Sequence, residues 1–453
     1  MSQIIAAIST ALAPSGIGVI RLTGQGCAHT AEQILKPVSG KPFSESPNRK
    51  LVLCDLLDRQ ERVIDRILAV YTRGPHSYTG EDTVELQCHG SPAVLTEALS
   101  HLFLQGARQA GPGEFTKRAF LNGRMDLTAA EAVIDLIEAE TADAAANAAG
   151  QVGGALLRKL SPVYDELVAI MSHFHAVLDY PDEDIDDFEL QQYTDILNSQ
   201  KNILEQLLST CQRGSVVKNG VGAVILGCPN AGKSSLLNAL AGYERVIVTD
   251  IPGTTRDTVE EKIRLGSLVL RLMDTAGIRD TTDTVEKIGV QRALDAANQA
   301  DLALVVIDGS QPLQEEDHRA MEAAKQAKNA ICILSKSDLP QVVPTGELDF
   351  ETILPISSLT GAGIEALAPA VEKLFASGAP CDGTLLTNAR HSAAITRSRD
   401  AILKVEEYIR WGGTPDAVLL DLEDAIEAIA EVTGKSMRED ITNGIFSRFC
   451  VGK

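Results

Sequence analysis

Eight consecutive residues, Gly227-Cys228-Pro229-Asn230-Ala231-Gly232-Lys233-Ser234, fit the pattern G-x-x-x-x-G-K-[ST]. This is the spacing of a loop that cradles phosphates. Its glycines let the backbone turn so that N–H groups converge on phosphate oxygens. Lys233 carries positive charge to the outer phosphates, and the Ser234 hydroxyl is suited to hold Mg²⁺. The apolar run Gly222-Ala223-Val224-Ile225-Leu226 before the loop predicts a buried strand, and Ser235-Leu236-Leu237-Asn238-Ala239-Leu240 after it predicts a helix. Strand, loop and helix in that order are what the motif requires, so the chain is expected to bind a nucleotide.

Four further elements follow in the order found in GTPases. The first is Thr249-Asp250-Ile251-Pro252-Gly253-Thr254-Thr255-Arg256-Asp257, in which Thr255 can close over the γ-phosphate and ligate Mg²⁺. Taken alone, this segment is an ordinary polar loop. The second, Asp274-Thr275-Ala276-Gly277, follows the apolar run Leu270-Arg271-Leu272-Met273, where a carboxylate suits the Mg²⁺ surroundings and a glycine N–H suits the γ-phosphate. The third is Ser335-Lys336-Ser337-Asp338, whose Asp338 can accept from both N1–H and N2–H₂ of guanine. The fourth, Ser357-Ser358-Leu359, is placed to meet the base edge. The set favours GTP over the nucleotides of other phosphate-loop NTPases.

Two positions depart from the common pattern. Ser335 stands where an asparagine is usual, which predicts modest GTP affinity with Asp338 carrying the discrimination. Ile278 stands where Ras-like GTPases place a water-orienting glutamine, so another group must orient the attacking water. No arginine is obviously offered for the charge that develops in the transition state.

These residues need a scaffold. The 453 residues, 44% of them hydrophobic, suffice for two to four domains. Residues 1–122 alternate strand-like runs (Ile4–Ile8, Val19–Leu22, Ile67–Tyr71, Thr83–Cys88) with a helix over Ser91–Gln105, predicting an α+β domain. Residues 123–215 show helical periodicity broken near Tyr180-Pro181. Residues 216–378 alternate strands and helices, predicting a mostly parallel sheet, and residues 379–453 return to helix. The simplest assembly is one helical domain interrupted by the nucleotide domain. A net charge of −21 excludes a general nucleic-acid coat. Eight scattered cysteines with no C-x-x-C pair argue against a zinc site or disulfide framework and for a reducing cytoplasm. No stretch approaches membrane-spanning length. His173 and His175, two apart on a helix, point to different faces, and the acidic run 182–187 is expected to be a solvated loop.

Over its whole length the chain resembles the bacterial tRNA-modification GTPase family MnmE, also called TrmE. The resemblance rests on Gly80-Glu81-Asp82, on Glu85-Leu86-Gln87-Cys88-His89-Gly90, on Pro112 to Arg124, on the loop Asn230 to Ser235, on Thr249 to Asp257 and on Phe449-Cys450-Val451-Gly452-Lys453. It implies an N-terminal folate-binding domain, an all-α domain and an inserted Ras-like GTPase domain. It implies K⁺ in place of the arginine finger, ligated by Asn230 and by oxygens of Thr249, Ile251 and Thr254, with Glu286 orienting the water as two G domains meet across the nucleotides. It implies a 5-formyl-tetrahydrofolate-type cofactor held by Arg21, Glu85, Arg124 and Lys453, with Cys450 as a candidate reactive thiol or else a buried free cysteine. Arg124 stands where the family often has lysine. By sequence alone each of these charged residues, Glu286 included, is a solvated surface group. The resemblance further implies a cytoplasmic homodimer. Its partner would be an FAD-containing protein, MnmG or GidA, FAD residing on that partner only. Together they would add a carboxymethylaminomethyl or aminomethyl group to C5 of the tRNA wobble uridine. Two alternatives are weighed: a ribosome-assembly GTPase switch, which would require a basic KH-like domain with a Gly-x-x-Gly loop after the G domain, and a folate-binding scaffold whose G domain only senses nucleotide.

Overall fold

The computed structural model describes residues 3–179, 190–243, 261–273, 294–375, 378, 380–411, 415–436, 439–447 and 449–452. They form two compact units, one of Met1–Ile134, Ala149–Lys201 and Ala394–Lys453, the other of Asp135–Ala148 and Asn202–Ala393.

The first unit is built on seven strands, β1 (Ile5–Ile8), β2 (Ser15–Thr23), β3 (Leu35–Pro37), β4 (Leu51–Leu57), β5 (Val63–Thr72), β6 (Thr83–Gly90) and β7 (Arg108–Gln109), in the order β3-β4-β5-β6-β2-β1-β7. Every pairing is antiparallel except β1 with β7. The two-residue alternation of side chains decides what each face does. Ile20 and Leu22 of β2, with Val84 and Leu86 of β6, enter a core shared with helices α1 (Cys27–Glu32) and α2 (Pro92–Leu104). Arg21 and Glu85 therefore fall on the opposite face, directly across from one another. On that face helix α3 (Glu114–Leu121) lays Phe115 against Ile5, Ala7 and Ala110. The strands and helix expected in residues 1–122 are present, and β3, β4 and β7 are additions to the strands.

Long helices follow: α4 (Leu127–Glu138), α5 (Ala142–Val152), α6 (Ala155–Asp179), α7 (Leu190–Ser209) and α8 (Cys211–Asn219). Asp126 starts α4 by accepting the N–H groups of Thr128 at 2.8 Å and Ala129 at 3.2 Å, which satisfies two donors the helix itself cannot.

The second unit holds β8 (Val221–Leu226), α9 (Lys233–Tyr243), β9 (Glu261–Leu265), β10 (Leu268–Leu272), β11 (Leu302–Asp308), α10 (Glu315–Ala324), β12 (Asn329–Ser335), β13 (Ile353–Pro355) and α11 (Leu367–Phe375). The strand order is β13-β12-β11-β8-β10-β9, parallel except for the β9–β10 hairpin. β8 is buried along its whole length. Val221, Ala223 and Ile225 face one core, and Val224 and Leu226 face another on the far side of the sheet. β11 splits in the same way, Leu302, Leu304 and Val306 to one side and Ala303, Val305 and Ile307 to the other. Strands buried on both faces read as continuous apolar runs, which is why both were visible in the sequence.

The chain closes with α12 (Ala389–Arg410), α13 (Pro415–Thr433) and α14 (Glu439–Phe446). In the first unit Lys201 reaches Glu406 at 2.7 Å, an ion pair whose carboxylate is only 4% exposed. Burial makes such a pair a device for fixing helix register more than a source of net stability. Phe446 and Phe449 pack with Phe120, Leu127 and Ala130. Among the described residues no helix is long and apolar enough to cross a membrane.

Candidate functional site

Parallel strands bring their carboxyl ends to one edge of the sheet, where ligands of open α/β folds bind. The loops after β8, β11, β12 and β13 all emerge there. The phosphate loop follows β8, at the point where the chain has strands β10 and β9 on one side and β11 to β13 on the other. At Gly227, φ is 145°, and a Cβ would stand 2.2 Å from the Val306 carbonyl, so only glycine lets the loop leave the strand here. Asn230 takes φ 63° and Lys336 φ 57°. Only Arg49 and Glu61 join them as non-glycine residues at positive φ among the described residues. Two of four such outliers thus sit in the loops the sequence assigned to nucleotide, where conformational cost is commonly tolerated for function.

Lys233 donates from Nζ to the carbonyls of Gly227 at 2.6 Å and Cys228 at 2.7 Å, and burial pulls its pKa down from the usual lysine value. The Cys228 thiol reaches Asp317 Oδ1 at 2.9 Å. Burial first, and the Asp317 carboxylate second, push that thiol up to about 12, so it stays protonated despite lying in the loop. Ala231 is buried, whereas Ser234 and Ser235 are exposed.

Ser335 is buried. Its hydroxyl contacts the carbonyls of Ala231 and, at 3.1 Å, Ile307. The residue thus ties the base-recognition loop to the phosphate loop instead of facing outward. Lys336 Nζ donates to Asp308 Oδ2 at 2.6 Å. Burial alone would raise the Asp308 pKa, but hydrogen bonds from Lys336 and Ser310 outweigh it and hold the carboxyl below the usual range. Asp338 Oδ1 accepts the Ser357 hydroxyl at 2.6 Å, and Oδ2 has no partner among the described residues. One oxygen is therefore fixed and the other is open. Ser358 is half-buried and Leu359 is 86% exposed. Thr249, Asp250, Ile251, Pro252, Gly253, Thr254, Thr255, Asp274, Thr275, Ala276, Gly277, Ile278 and Glu286 lie outside the described residues, as do the acidic run 182–187 and Lys453.

The second set of predicted residues lies in the first unit. Arg21 Nε donates to Glu85 Oε1 at 2.9 Å, and Nη2 lies 2.8 Å from the same oxygen. Glu85 Oε2 has no partner among the described residues. The Arg21 guanidinium lies near two rings, 5.4 Å from the centroid of Tyr78 and 5.7 Å from that of Phe115. Neither aromatic was singled out from the sequence, because the three residues come from a strand, a loop and a helix far apart in the chain. Arg124 Nε donates to the Ser77 carbonyl at 3.1 Å. Its terminal nitrogens have no partner among the described residues.

The C-terminal tail of the same chain reaches this domain. Val451 pairs with Pro112, Gly113 N–H donates to the Cys450 carbonyl at 3.3 Å, and Ser9 Oγ donates to the Gly452 carbonyl at 2.9 Å. Gly452 is at φ 105°, and a Cβ there would stand 2.5 Å from the Ile8 carbonyl. Cys450 is exposed. His173 lies 5.5 Å from the Tyr193 ring, and His175 is exposed. Among the described residues no cluster of His, Cys, Asp and Glu could hold a metal ion.

Comparison with known proteins shows the family. Residues 4–124 match the family model "GTP-binding protein TrmE N-terminus", and residues 127–450 match "MnmE helical domain". The chain is 40% identical over 456 residues to the tRNA modification GTPase MnmE of Alkaliphilus oremlandii, covering 99% of each chain. It is 39% identical over 459 residues to the protein of the same name from Clostridioides difficile, again with 99% of each covered. The protein of that name from Roseiflexus sp. is 41% identical over 466 residues. This chain belongs to the family of the tRNA modification GTPase MnmE.

Proposed function

We propose that the chain hydrolyses GTP to drive a conformational cycle in the modification of tRNA. Acting with an FAD-containing partner of the MnmG (GidA) type, it installs an aminomethyl or carboxymethylaminomethyl group on C5 of the wobble uridine. The one-carbon unit comes from a folate of the 5-formyl-tetrahydrofolate class. K⁺ bound by Asn230, Thr249, Ile251 and Thr254 neutralises the charge that develops between the β- and γ-phosphates. Mg²⁺ is held by Ser234 and Thr255, and Glu286 orients the attacking water. The functional form is a cytoplasmic homodimer whose G domains meet across the nucleotides.

One observation carries this assignment: motifs from both ends of the chain converge on one domain. Gly452 lies against Ser9 in the unit that presents Arg21, Glu85 and Arg124. A GTPase that only switched would not need an open carboxylate–guanidinium pair on a separate sheet. That pair offers an acceptor beside a donor, which suits the edge of a pterin, where N–H and C=O alternate. The ribosome-assembly alternative loses its footing, since the described residues after Ala389 form helices and a short tail. Nucleoside analysis of tRNA from cells lacking the chain tests the proposal. Loss of the C5 substituent at the wobble uridine is expected, and unchanged nucleosides would sink it.

A further inference from the structure

The Arg21–Glu85 pair is held by more than its own ion pair. Arg21 is 17% exposed, and its guanidinium lies over two aromatic rings, Tyr78 and Phe115, within cation–π range of each. Phe115 is fully buried and belongs to the core of the domain. Tyr78 is different: it stands in the loop between β5 and β6 and is 36% exposed. That loop is anchored on both sides of the ring. Arg124 holds the Ser77 carbonyl, Asn122 Nδ2 donates to the Thr79 carbonyl at 2.7 Å, and Arg118 pairs with Glu81 at 2.8 Å. The Tyr78 hydroxyl meets Thr116 Oγ1 at 2.9 Å, on the helix that also supplies Phe115. Four anchors flank a ring that is itself exposed, while its neighbours Ser77 and Thr79 are buried.

From this geometry we infer that Tyr78 is a positioning residue for the folate site, acting through Arg21 rather than as a ligand contact of its own. The inference rests on the folate assignment above. Contact with both rings, added to the ion pair, limits where the guanidinium can sit. Its Nε and Nη2 are turned to Glu85 Oε1, while Nη1 and Glu85 Oε2 have no partner among the described residues. A carboxylate acceptor held to a guanidinium donor complements the 4-oxo pterin lactam, with Oε2 to accept N3–H and a guanidinium N–H to donate to the 4-carbonyl. It does not complement a 4-aminopteridine, which places donors where the carbonyl stood. Arg124 contributes at one remove, since its Nε pins the loop that carries the ring.

The test is calorimetric binding to the full chain, using 5-formyl-tetrahydrofolate and a 4-amino-4-deoxy analogue of the same folate. Wild type is expected to prefer the 4-oxo ligand. Tyr78→Leu is expected to weaken 5-formyl-tetrahydrofolate about tenfold and the 4-amino analogue far less, which collapses the preference, while Tyr78→Phe stays within about twofold of wild type. In an Arg21→Lys background, Tyr78→Leu is expected to add less than about twofold, because its effect runs through the guanidinium. If Tyr78→Leu weakens both ligands alike, or multiplies with Arg21→Lys, or changes nothing, Tyr78 does not position Arg21. Should wild type fail to bind either ligand, the folate assignment itself falls, a result distinct from the other three.

Discussion

At the scale of single residues, the nucleotide site separates two jobs that the sequence motif runs together. Asp338 offers one oxygen fixed by Ser357 and one open, and its neighbour Ser335 binds the phosphate loop. Asp338→Asn should therefore weaken GTP much more than xanthosine triphosphate, because an amide suits the xanthine edge. Ser335→Ala should weaken both nucleotides alike, by about 1 kcal/mol for the lost buried hydrogen bond. Titrations with both nucleotides measure each effect, and a Ser335→Ala variant with altered base preference would return that residue to the base edge. The legible and illegible residues also divide at this scale. The run Val19-Ile20-Arg21-Leu22 was legible as a strand, but by sequence alone Arg21 was a solvated surface charge. Tyr78 and Phe115 were invisible as its partners, since nothing local signals a contact among residues 21, 78 and 115. The role of Ser335 was hidden for the same reason: its partner, Ala231, is 104 residues away.

At the scale of elements, strands buried on both faces were plain from their apolar runs. Among the strands that escaped notice, β3 and β7 are only three and two residues long, and β4 and β9 are half-buried and interrupted by charge, as in Glu261-Lys262-Ile263-Arg264-Leu265, where only Ile263 and Leu265 are buried. Helix α3 carries its own pH signature. Burial alone would raise the Glu114 pKa, but hydrogen bonds from Arg108, the Gly111 N–H and Arg118 outweigh that and hold it at about 2, against an ordinary 4.5. A depressed carboxyl stabilises the fold fully above 4.5, and the contribution is lost as pH falls toward about 2. Acid unfolding of the N-terminal unit should therefore steepen across that window. Glu114→Gln should flatten the window while costing about 2 kcal/mol at neutral pH, because it strips two guanidinium groups of a shared partner. Thermal melts against pH check both; an unchanged profile would place the acid transition elsewhere. The tail makes an equally local prediction. Gly452→Val forces a side chain into positive φ against the Ile8 carbonyl and should cost on the order of 2 kcal/mol in docking the tail. Folate affinity should fall with it while GTP affinity holds, and calorimetry with each ligand separates the two.

At the scale of the whole molecule, the chain pairs a GTPase unit lacking an obvious arginine finger with an acidic overall charge of −21. The proposed cation therefore has to come from solution. GTP turnover in K⁺ should exceed that in Na⁺ by about tenfold or more at equal ionic strength, since one lost oxyanion-stabilising charge commonly costs that or more. Equal rates would remove the potassium mechanism and leave the family assignment intact. The acidity also bears on tRNA. A surface with this charge gains little from counterion release, so most phosphate contacts in the working assembly should come from the partner protein.

The stitched tail has a consequence for how the protein is made. Ser9 and Gly452 are 443 residues apart in the chain yet share a hydrogen bond. Domains generally fold as they emerge, at roughly 5–20 residues per second, so the first strands wait on the order of 20–90 s for the segment that closes them. Throughout that interval the loop at Pro112-Gly113 and the end of β1 lack their partner, while the GTPase unit, whose strands are contiguous between 221 and 355, has already been synthesised. The birth order of the two sites is thus the reverse of their order in the sequence: nucleotide binding can mature first, and the N-terminal site is completed only when translation reaches the tail. A nascent chain arrested before residue 449 would be a GTP-binding protein with an unfinished first domain, and so a natural client for chaperones until its synthesis is complete.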